Sequence, residues 1–255
     1  MNQLHFLAFF IFASSALTAG VRIYSFINKQ RAPLLNRSIY LGESFLLGSS
    51  WVIGLMMILG FAHLYRPAPL WGVVLANFLF LLDKNVREAF RKIIFSKVKV
   101  DLPLVILLIF TAFFIFRNCY YLIDIDSIMG YAFTHRFWLE AGTNLVGTDA
   151  DYWPTFLPQY DSVPYALGIA LFGNDMLFGG LISLYWRLIA VLLVFGYTSY
   201  RFDRWYGLAA VFLMLLDDHM FYSGLNAWVI INSALVALGF AAAYNLWEAR
   251  AKDSV

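Results

Sequence analysis

Residues 102–126 read LPLVILLIFTAFFIFRNCYYLIDID, an apolar run that passes directly into a loop carrying Asp124 and Asp126. A helix needs roughly 20 mostly apolar residues to cross about 30 Å of hydrocarbon, and the apolar part of this run is typical of such a span. The polar loop, residues 118–162, holds six of the chain's sixteen acidic residues, and Arg136 is its only lysine or arginine. The stretch therefore predicts a membrane helix followed by a long acidic loop.

The composition of the whole chain is that of a membrane protein. The 255 residues are 62% hydrophobic and 13% charged, with a mean hydropathy of +0.71. Soluble domains are about 45–50% apolar and about 25% charged. Cys119 is the only cysteine, which excludes an internal disulfide and cysteine-rich metal motifs. No phosphate-binding P-loop, serine-hydrolase elbow or zinc-protease motif occurs, so an ATP-driven pump and a serine hydrolase lose their usual support.

Seven apolar runs predict an all-α, polytopic membrane helix bundle of about seven transmembrane helices with a long helical outer loop. A further apolar stretch, 163–172, is too short to cross and is predicted to be re-entrant or to pack on the bundle. The first run lacks a preceding basic segment and continues past its small residues, so we expect a retained helix rather than a cleaved signal peptide. The predicted spans are residues 4–27, 41–64, 70–82, 102–116, 176–197, 206–216 and 225–247.

The distribution of positive charge predicts the orientation, because lysine and arginine are enriched in cytoplasmic connectors. Alternate connectors hold only Arg66, Arg117 and Arg136. The remaining connectors and the C-terminal tail hold 13 of the 18 basic residues, which predicts an inner (plasma) membrane protein with its N-terminus outside and its C-terminus inside. Those basic connectors are 28–40, 83–101 and 199–205.

One of the basic connectors has helical periodicity. Residues 84–99 contain six basic residues, and Val86, Phe90, Ile93 and Ile94 recur among them at helical spacing. This pattern predicts a basic amphipathic helix lying on an anionic leaflet. Beside a membrane span, a nucleic-acid partner is not expected.

Two acidic clusters fall on the predicted outer face. Asp124 and Asp126 follow a span at the lipid–water boundary, where a carboxylate can act as a general base or hold a divalent cation. The alternative is a pair of solvated carboxylates at a helix end. Asp217, Asp218 and His219 end the sixth predicted span, as a solvated turn or as a second acidic group with His219 as a metal or phosphate ligand.

Basic side chains supply candidate phosphate ligands. Arg187 lies about halfway along a predicted span, and an intramembrane arginine is a candidate functional residue because its burial is costly. Its guanidinium suits a phosphate or carboxylate, and the alternative is a structural ion pair within the bundle. His135 and Arg136 in the outer loop could also hold a phosphate.

From residue 116 onward, the order of motifs resembles the GT-C superfamily of polytopic glycosyltransferases, which use polyprenyl-phosphate-linked sugars. The resemblance covers roughly residues 100–247. Its motifs are Asp124-Ile-Asp126, Tyr131-Ala132, Phe137-Trp-Leu-Glu-Ala-Gly142, Tyr160-Asp-Ser-Val-Pro164, Leu171-Phe-Gly173, a span containing Arg187, and Asp217-Asp-His-Met-Phe-Tyr-Ser223.

The resemblance implies residue roles. The general base, or a ligand of a divalent cation such as Mg²⁺ or Mn²⁺, is Asp124 or Asp126, Asp217 or Asp218 assists, and Arg187 contacts the phosphate. With the candidates named above from the residues themselves, the candidate metal ligands are Asp126 and His219. The candidates for binding substrate or its phosphate are Tyr131, His135, Arg136 and Arg187.

The expected function is a membrane glycosyltransferase that transfers a sugar from a polyprenyl-phosphate donor to a glycan or lipid acceptor. Residues 1–100 are expected to be an N-terminal three-span extension and residues 101–255 a partial GT-C-like module. Because the chain holds about four of the family's conserved spans, we expect a truncated member or a partner chain that completes the bundle. An isolated truncated chain could be inactive.

Two other functions are compatible with the sequence. One is a non-catalytic membrane subunit or a transporter, in which Arg187 and the acids form a polar path. The other is a lipid-linked oligosaccharide polymerase or ligase, for which a long outer loop richer in arginine would be expected.

Overall fold

A computed structural model describes residues 3–27, 37–95, 100–119, 133–144, 163–173 and 177–216. The regular structure within these ranges is entirely helical, which confirms the predicted all-α class. The helices are α1 Gln3–Ile27, α2 Arg37–Phe61, α3 Pro67–Ala76, the 3₁₀-helix η1 Asn77–Leu82, α4 Lys84–Phe95, α5 Leu102–Cys119, α6 Phe133–Ala141, α7 Tyr165–Phe172, α8 Leu177–Arg201 and α9 Arg204–Leu215.

Three of these helices, α1, α2 and α8, are long and apolar enough to cross a membrane. Each has 25 residues, or about 37 Å at 1.5 Å per residue, which exceeds the hydrocarbon thickness. The third predicted span is α3 with η1, which is bent by 90° from α4 and would add a fourth crossing if the bent pair is one span. The apolar helices Leu102–Phe113 and Arg204–Leu215 are shorter, and the predicted span 225–247 lies outside the described residues.

Helices α1 and α2 pack so closely that the backbone of each lies against the backbone of the other. A Cβ atom added to Gly48 would lie 2.6 Å from the carbonyl carbon of Ala16, and one added to Gly20 would collide with the carbonyl oxygen of Ser44. Small residues four apart on both helices therefore face each other. Lipid gives little hydrophobic drive to helix association, so this close van der Waals packing is what holds such helices together.

Helix α8 lies at the centre of the bundle. Its most apolar window is 83% buried, against 50% for α1 and 44% for α2. The Tyr185 hydroxyl lies 2.6 Å from Ser49 Oγ, and its ring packs edge-on against Phe9, Phe12 and Phe45 at 5.5–6.1 Å. Tyr185 thereby joins α8 to α1 and α2.

The third predicted span changes helix type halfway along. The Ser15 hydroxyl of α1 donates to the Val74 carbonyl at 2.7 Å, and the Asn77 amide donates to Ser15 Oγ at 3.0 Å. The Trp51 indole donates to Asn77 Oδ1 at 3.3 Å. Because lipid offers no hydrogen-bonding partner, these side chains stabilise the chain where α3 passes into η1.

The outward surfaces of the helices are apolar. Four large side chains on α1, α2, α5 and α9 are more than half exposed: Phe10 61%, Ile58 60%, Leu108 59% and Leu213 71%. Contiguous exposed apolar surface is rare on soluble monomers and marks a membrane or protein contact. This surface, together with the three long helices, is compatible with an integral membrane protein.

Two ion pairs define one end of the bundle, here called the basic end. Arg22 near the end of α1 lies 3.1 Å from Asp83, which precedes α4. Arg204 at the start of α9 lies 2.7 Å from Asp101, which precedes α5. The basic connectors 83–101 and 199–205 therefore carry local acidic partners where they adjoin the helices.

The opposite end, here called the loop end, gathers the start of α1, the end of α2 and the helices α6 and α7. The Tyr65 amide donates to the Gly142 carbonyl at 2.9 Å. The His5 ring stacks on Phe172 with centroids 3.8 Å apart. Within the described residues, the turn 62–66 thus lies at the loop end, whereas Asp83, Asp101 and Arg204 lie at the basic end. The number of spans and the end that faces the cytoplasm stay predictions.

The two ends can be tested by thiol labelling in a Cys119→Ser background. We expect a membrane-impermeant maleimide to label Asn85→Cys and Phe202→Cys from one side, and Ala62→Cys and Glu140→Cys from the other. All four positions are exposed. The reagent is applied to sealed vesicles of both orientations, and labelling of one residue from each pair on the same side would contradict the arrangement.

The close packing of α1 on α2 predicts that Gly48→Val destabilises the protein by on the order of 3 kcal/mol, because a carbonyl group must move to admit the side chain. Gly54→Val on the same helix is the matched control, since nothing lies within 4 Å of its Cβ position, and should change stability by less than about 0.5 kcal/mol. Thermal unfolding in detergent measures both. Equal unfolding midpoints would show that the contact is looser than described.

Candidate functional site

The outer-loop helix α6 is capped and tied to α2 by residues 142–144. Gly142 has a φ of +73°, and the Thr143 amide donates to the Trp138 carbonyl at 3.1 Å, as in a Schellman cap. The Thr143 hydroxyl donates to the Gly60 carbonyl at 2.8 Å. Because the last carbonyls of a helix lack intrahelical partners, the end of α6 also helps to cap α2.

A buried group of aromatic and hydroxyl side chains links α6 to α8. It is called here the α6–α8 cluster and consists of Tyr65, His135, Trp138, Tyr165 and Ser183. His135 Nδ1 lies 3.5 Å from the Tyr65 hydroxyl, and its ring lies edge-on to Trp138 at 5.1 Å and to Tyr165 at 6.4 Å. The Tyr165 hydroxyl lies 2.9 Å from Ser183 Oγ. A continuous path of contacts therefore runs from the outer-loop helix to a span.

Arg187 lies one helical turn beyond Ser183 on α8 and is only 1% exposed. Residues four apart on a helix share a face, so the guanidinium belongs to the side of α8 that carries the cluster. Of the predicted phosphate ligands, His135 belongs to the cluster, and Arg187 lies one turn along α8 from the cluster's Ser183. Their roles stay predictions.

Burial sets the protonation of the cluster's two titratable loop residues. His135 is 0% exposed, and desolvation lowers its pKa to about 3. Burial also raises the pKa of the Tyr65 hydroxyl. Both side chains are therefore neutral near pH 7, so His135 acts there as a hydrogen-bonding imidazole rather than as a cation.

Arg136 lies on the opposite, exposed side of α6. Its Nε lies 2.8 Å from Glu140 Oε1, one turn along the helix, and both side chains are at least half exposed. An exposed i,i+4 pair of this kind contributes about 0.3–0.5 kcal/mol and leaves the guanidinium accessible. The phosphate-binding prediction for Arg136 is neither helped nor opposed by this pair.

The predicted carboxylates and their neighbours lie outside the described residues. Among the described residues, no group of three His, Cys, Asp or Glu side chains could hold a metal ion. The metal prediction is therefore carried only by residues beyond the described part of the chain. The predicted site residues outside the described ranges are Asp124, Asp126, Tyr131, Asp217, Asp218 and His219.

Sequence reasoning missed a carboxylate inside a predicted span. The Tyr197 hydroxyl of α8 donates a short hydrogen bond to Glu43 Oε1 of α2. The sequence did contain a signal for this contact, because Glu43 is an acid within an apolar run. A carboxylate is costly to bury in a span, so its presence there indicates a polar partner. The Ser49–Tyr185 contact was missed because neither residue type stands out in a span.

An apolar cavity of about 420 Å³ lies between α1, α2, α5 and α8. Its walls are formed mainly by hydrocarbon and aromatic groups, among them Phe9, Phe45, Leu107, Tyr185 and Leu188. Ligand pockets in proteins commonly measure about 300–1,000 Å³. The cavity lies alongside spans at bilayer depth, and its chemistry suits a hydrocarbon chain rather than a polar solute.

No family model matches this chain, and no curated protein or solved structure shows significant similarity to it.

Burial of His135 predicts a pH-dependent stability. The folded-state pKa lies below the unfolded value of about 6.5, so its contribution is intact above pH 6.5 and is lost as the pH falls, because only the unfolded state takes up the proton. Between pH 7 and pH 5 we expect this residue alone to reduce the free energy of unfolding by about 2 kcal/mol.

Unfolding midpoints of the wild-type protein and His135→Gln, measured in detergent at both pH values, test this expectation. The variant should lose less stability on acidification, since its amide does not titrate. His63→Gln, at an exposed position, is the matched control and should follow the wild type. Parallel pH profiles for all three proteins would show that His135 is accessible to protons when folded.

Proposed function

We propose that this chain is a membrane glycosyltransferase, or the N-terminal part of one, that transfers a sugar from a polyprenyl-phosphate donor to a glycan or lipid acceptor on the outer face. The observation that carries the proposal is the packing of the outer-loop helix α6 onto α7 through His135 and Tyr165, and of α7 onto α8 through Tyr165 and Ser183, one turn from Arg187. A donor of this kind needs an anion-binding group close to bilayer depth, and an intramembrane arginine is suited to that task.

The apolar cavity gives the proposal a second support. A polyprenyl-phosphate donor combines a charged phosphate with a long hydrocarbon chain, so its binding site needs both a cation and an apolar space. Tyr185 and Leu188 of α8 line the cavity, which places the apolar space against the helix that carries Arg187, although Arg187 is not itself a lining residue. Hydrocarbon burial in such a space contributes about 0.8 kcal/mol for each methylene removed from water.

The proposal includes finer features of the membrane arrangement. About seven spans, an N-terminus outside, a C-terminus inside and residence in the inner (plasma) membrane are proposed with it. Asp124 or Asp126 would serve as base or metal ligand, Asp217 or Asp218 would assist, and His219 would complete a metal site. Asp126 precedes the first residue of α6 by seven positions, so it belongs to the same predicted outer loop.

A non-catalytic membrane subunit or a transporter is the second candidate, and burial favours it. His135 is fully buried and Arg187 nearly so, as expected of groups that stabilise a bundle. A transferase must admit the donor phosphate to Arg187, whereas a structural subunit need not. A lipid-linked oligosaccharide polymerase or ligase would share the geometry of the transferase.

The transferase proposal predicts that the purified protein moves sugar from a polyprenyl-phosphate donor to an acceptor. Asp124→Asn with Asp126→Asn should lower the rate by at least about 100-fold, because general-base catalysis contributes that much or more. Product formation from radiolabelled donor measures the rate. Glu140→Gln is the matched control: it removes another acid of the same loop, one paired with Arg136, and should leave the rate unchanged.

Each result separates the candidates. Transfer that survives in the double variant would remove these acids from catalysis, and loss in Glu140→Gln as well would mean that loop charge alone is required. A protein that turns over no sugar but supports substrate flux in proteoliposomes is a transporter. Transfer restored only by a second chain would assign the catalytic centre to a complex.

A further inference from the structure

Helix α4 lies across the basic end of the bundle and is held there by contacts with α1 and α2. It is bent by 90° from the preceding α3–η1 segment, so it runs along the membrane plane if that segment crosses the bilayer. Asp83 fixes the start of α4. The Asp83 carboxylate accepts a hydrogen bond from the Asn85 amide at 2.8 Å and forms an ion pair with Arg22 at 3.1 Å. The N-terminus of α4 is therefore fastened to α1.

The apolar face of α4 is occupied by the protein itself. Val86 is 0% exposed and packs with Val21, Tyr24 and Tyr40 of α1 and α2. Ala89, Phe90 and Ile93, at helical spacing from Val86, are partly buried against the same group. An interfacial amphipathic helix normally inserts this face into lipid. Here the bundle covers that face, so the predicted contact of α4 with an anionic leaflet would involve its other side.

The opposite face of α4 is exposed and basic. Lys84 lies 3.8 Å from Glu88 in an exposed pair, whereas Arg87, Arg91 and Lys92 form no ion pair with any described residue. Arg87 and Arg91 are four residues apart and so lie on one line of the helix surface. Two guanidinium groups are thus presented side by side on a fixed support.

The level of α4 relative to the membrane follows from its neighbours. Leu79 and Leu82, just before Lys84, are 65% and 75% exposed, as expected of lipid-facing residues. At the same end, Trp205 and Tyr206 at the start of α9 are also more than half exposed. Tryptophan and tyrosine are enriched where hydrocarbon meets headgroups. The basic face of α4 therefore lies beside the headgroup layer.

We propose that the basic face of α4 is a binding site for the headgroup of an anionic phospholipid, held by Arg87 and Arg91 with Lys92 beside them. The guanidinium fork matches a phosphate, and two forks on one helix line can hold a phosphodiester. Because the apolar face is already packed, binding comes from the headgroup contact and not from insertion. This inference is independent of the proposed transferase activity.

The test measures lipid binding by the full chain in detergent, using native mass spectrometry with phosphatidylglycerol and with phosphatidylcholine. We expect the wild type to prefer phosphatidylglycerol and Arg87→Gln/Arg91→Gln to bind it about tenfold more weakly, with binding of phosphatidylcholine unchanged. Preference should fall as salt is raised, because exposed charges are screened. Equal binding of the two lipids by the wild type would overturn the proposal.

Matched variants separate this site from general positive charge. Arg87→Lys/Arg91→Lys keeps both charges but loses both guanidinium forks, so its preference should lie between that of the wild type and that of Arg87→Gln/Arg91→Gln. Arg66→Gln removes an exposed arginine from the loop end and should bind phosphatidylglycerol as the wild type does. Weakening in Arg66→Gln equal to that in Arg87→Gln/Arg91→Gln, or wild-type binding by Arg87→Gln/Arg91→Gln, would overturn the assignment to α4. If Arg87→Gln/Arg91→Gln does not fold, Arg87→Gln and Arg91→Gln are measured singly, and wild-type binding by both single variants would overturn the assignment.

Discussion

The close approach of α1 and α2 is the contact on which the rest of the bundle depends. Gly20 and Gly48 let each helix lie against the carbonyl groups of the other, at Ser44 and Ala16. Since lipid surrounds apolar side chains as well as a protein core does, only such surface fit holds the two helices together. Once α1 and α2 are packed together, Tyr185 of α8 contacts Phe9 and Phe12 on α1 and Phe45 and Ser49 on α2, and these contacts position α8 as the central helix.

Several polar side chains within the bundle bond to groups on neighbouring helices. Ser15 donates to the Val74 carbonyl, and Ser49 meets the Tyr185 hydroxyl. The α6–α8 cluster is built in the same way, with the Tyr165 hydroxyl meeting Ser183. Because an unsatisfied polar group in hydrocarbon costs several kcal/mol, these contacts fix the rotation of each helix and so the position of any group beside them.

The two ends of the bundle are suited to different tasks. The basic end carries α4. The apolar face of this helix packs against the bundle, and its arginines face outward. The loop end carries His135 in a neutral, buried state, next to the helix that holds Arg187. A protein acting on lipid-borne substrates would use both, since one end holds it against the leaflet while the other receives the substrate.

Hydropathy alone was enough to predict helices and the rough bounds of the three long ones, because burial in lipid is a property of composition along a segment. It placed α1, α2 and α8 within a few residues. It could not predict that Ser15 contacts Val74, that Tyr65 contacts His135, or that α4 buries Val86 against the bundle. Those pairs are set by helix rotation and crossing, which the folded chain decides through packing between residues distant in sequence. Arg187 was recognised because burying an arginine in a span is costly, whereas the contact of Tyr165 with Ser183, one turn from Arg187, could be known only from the folded chain.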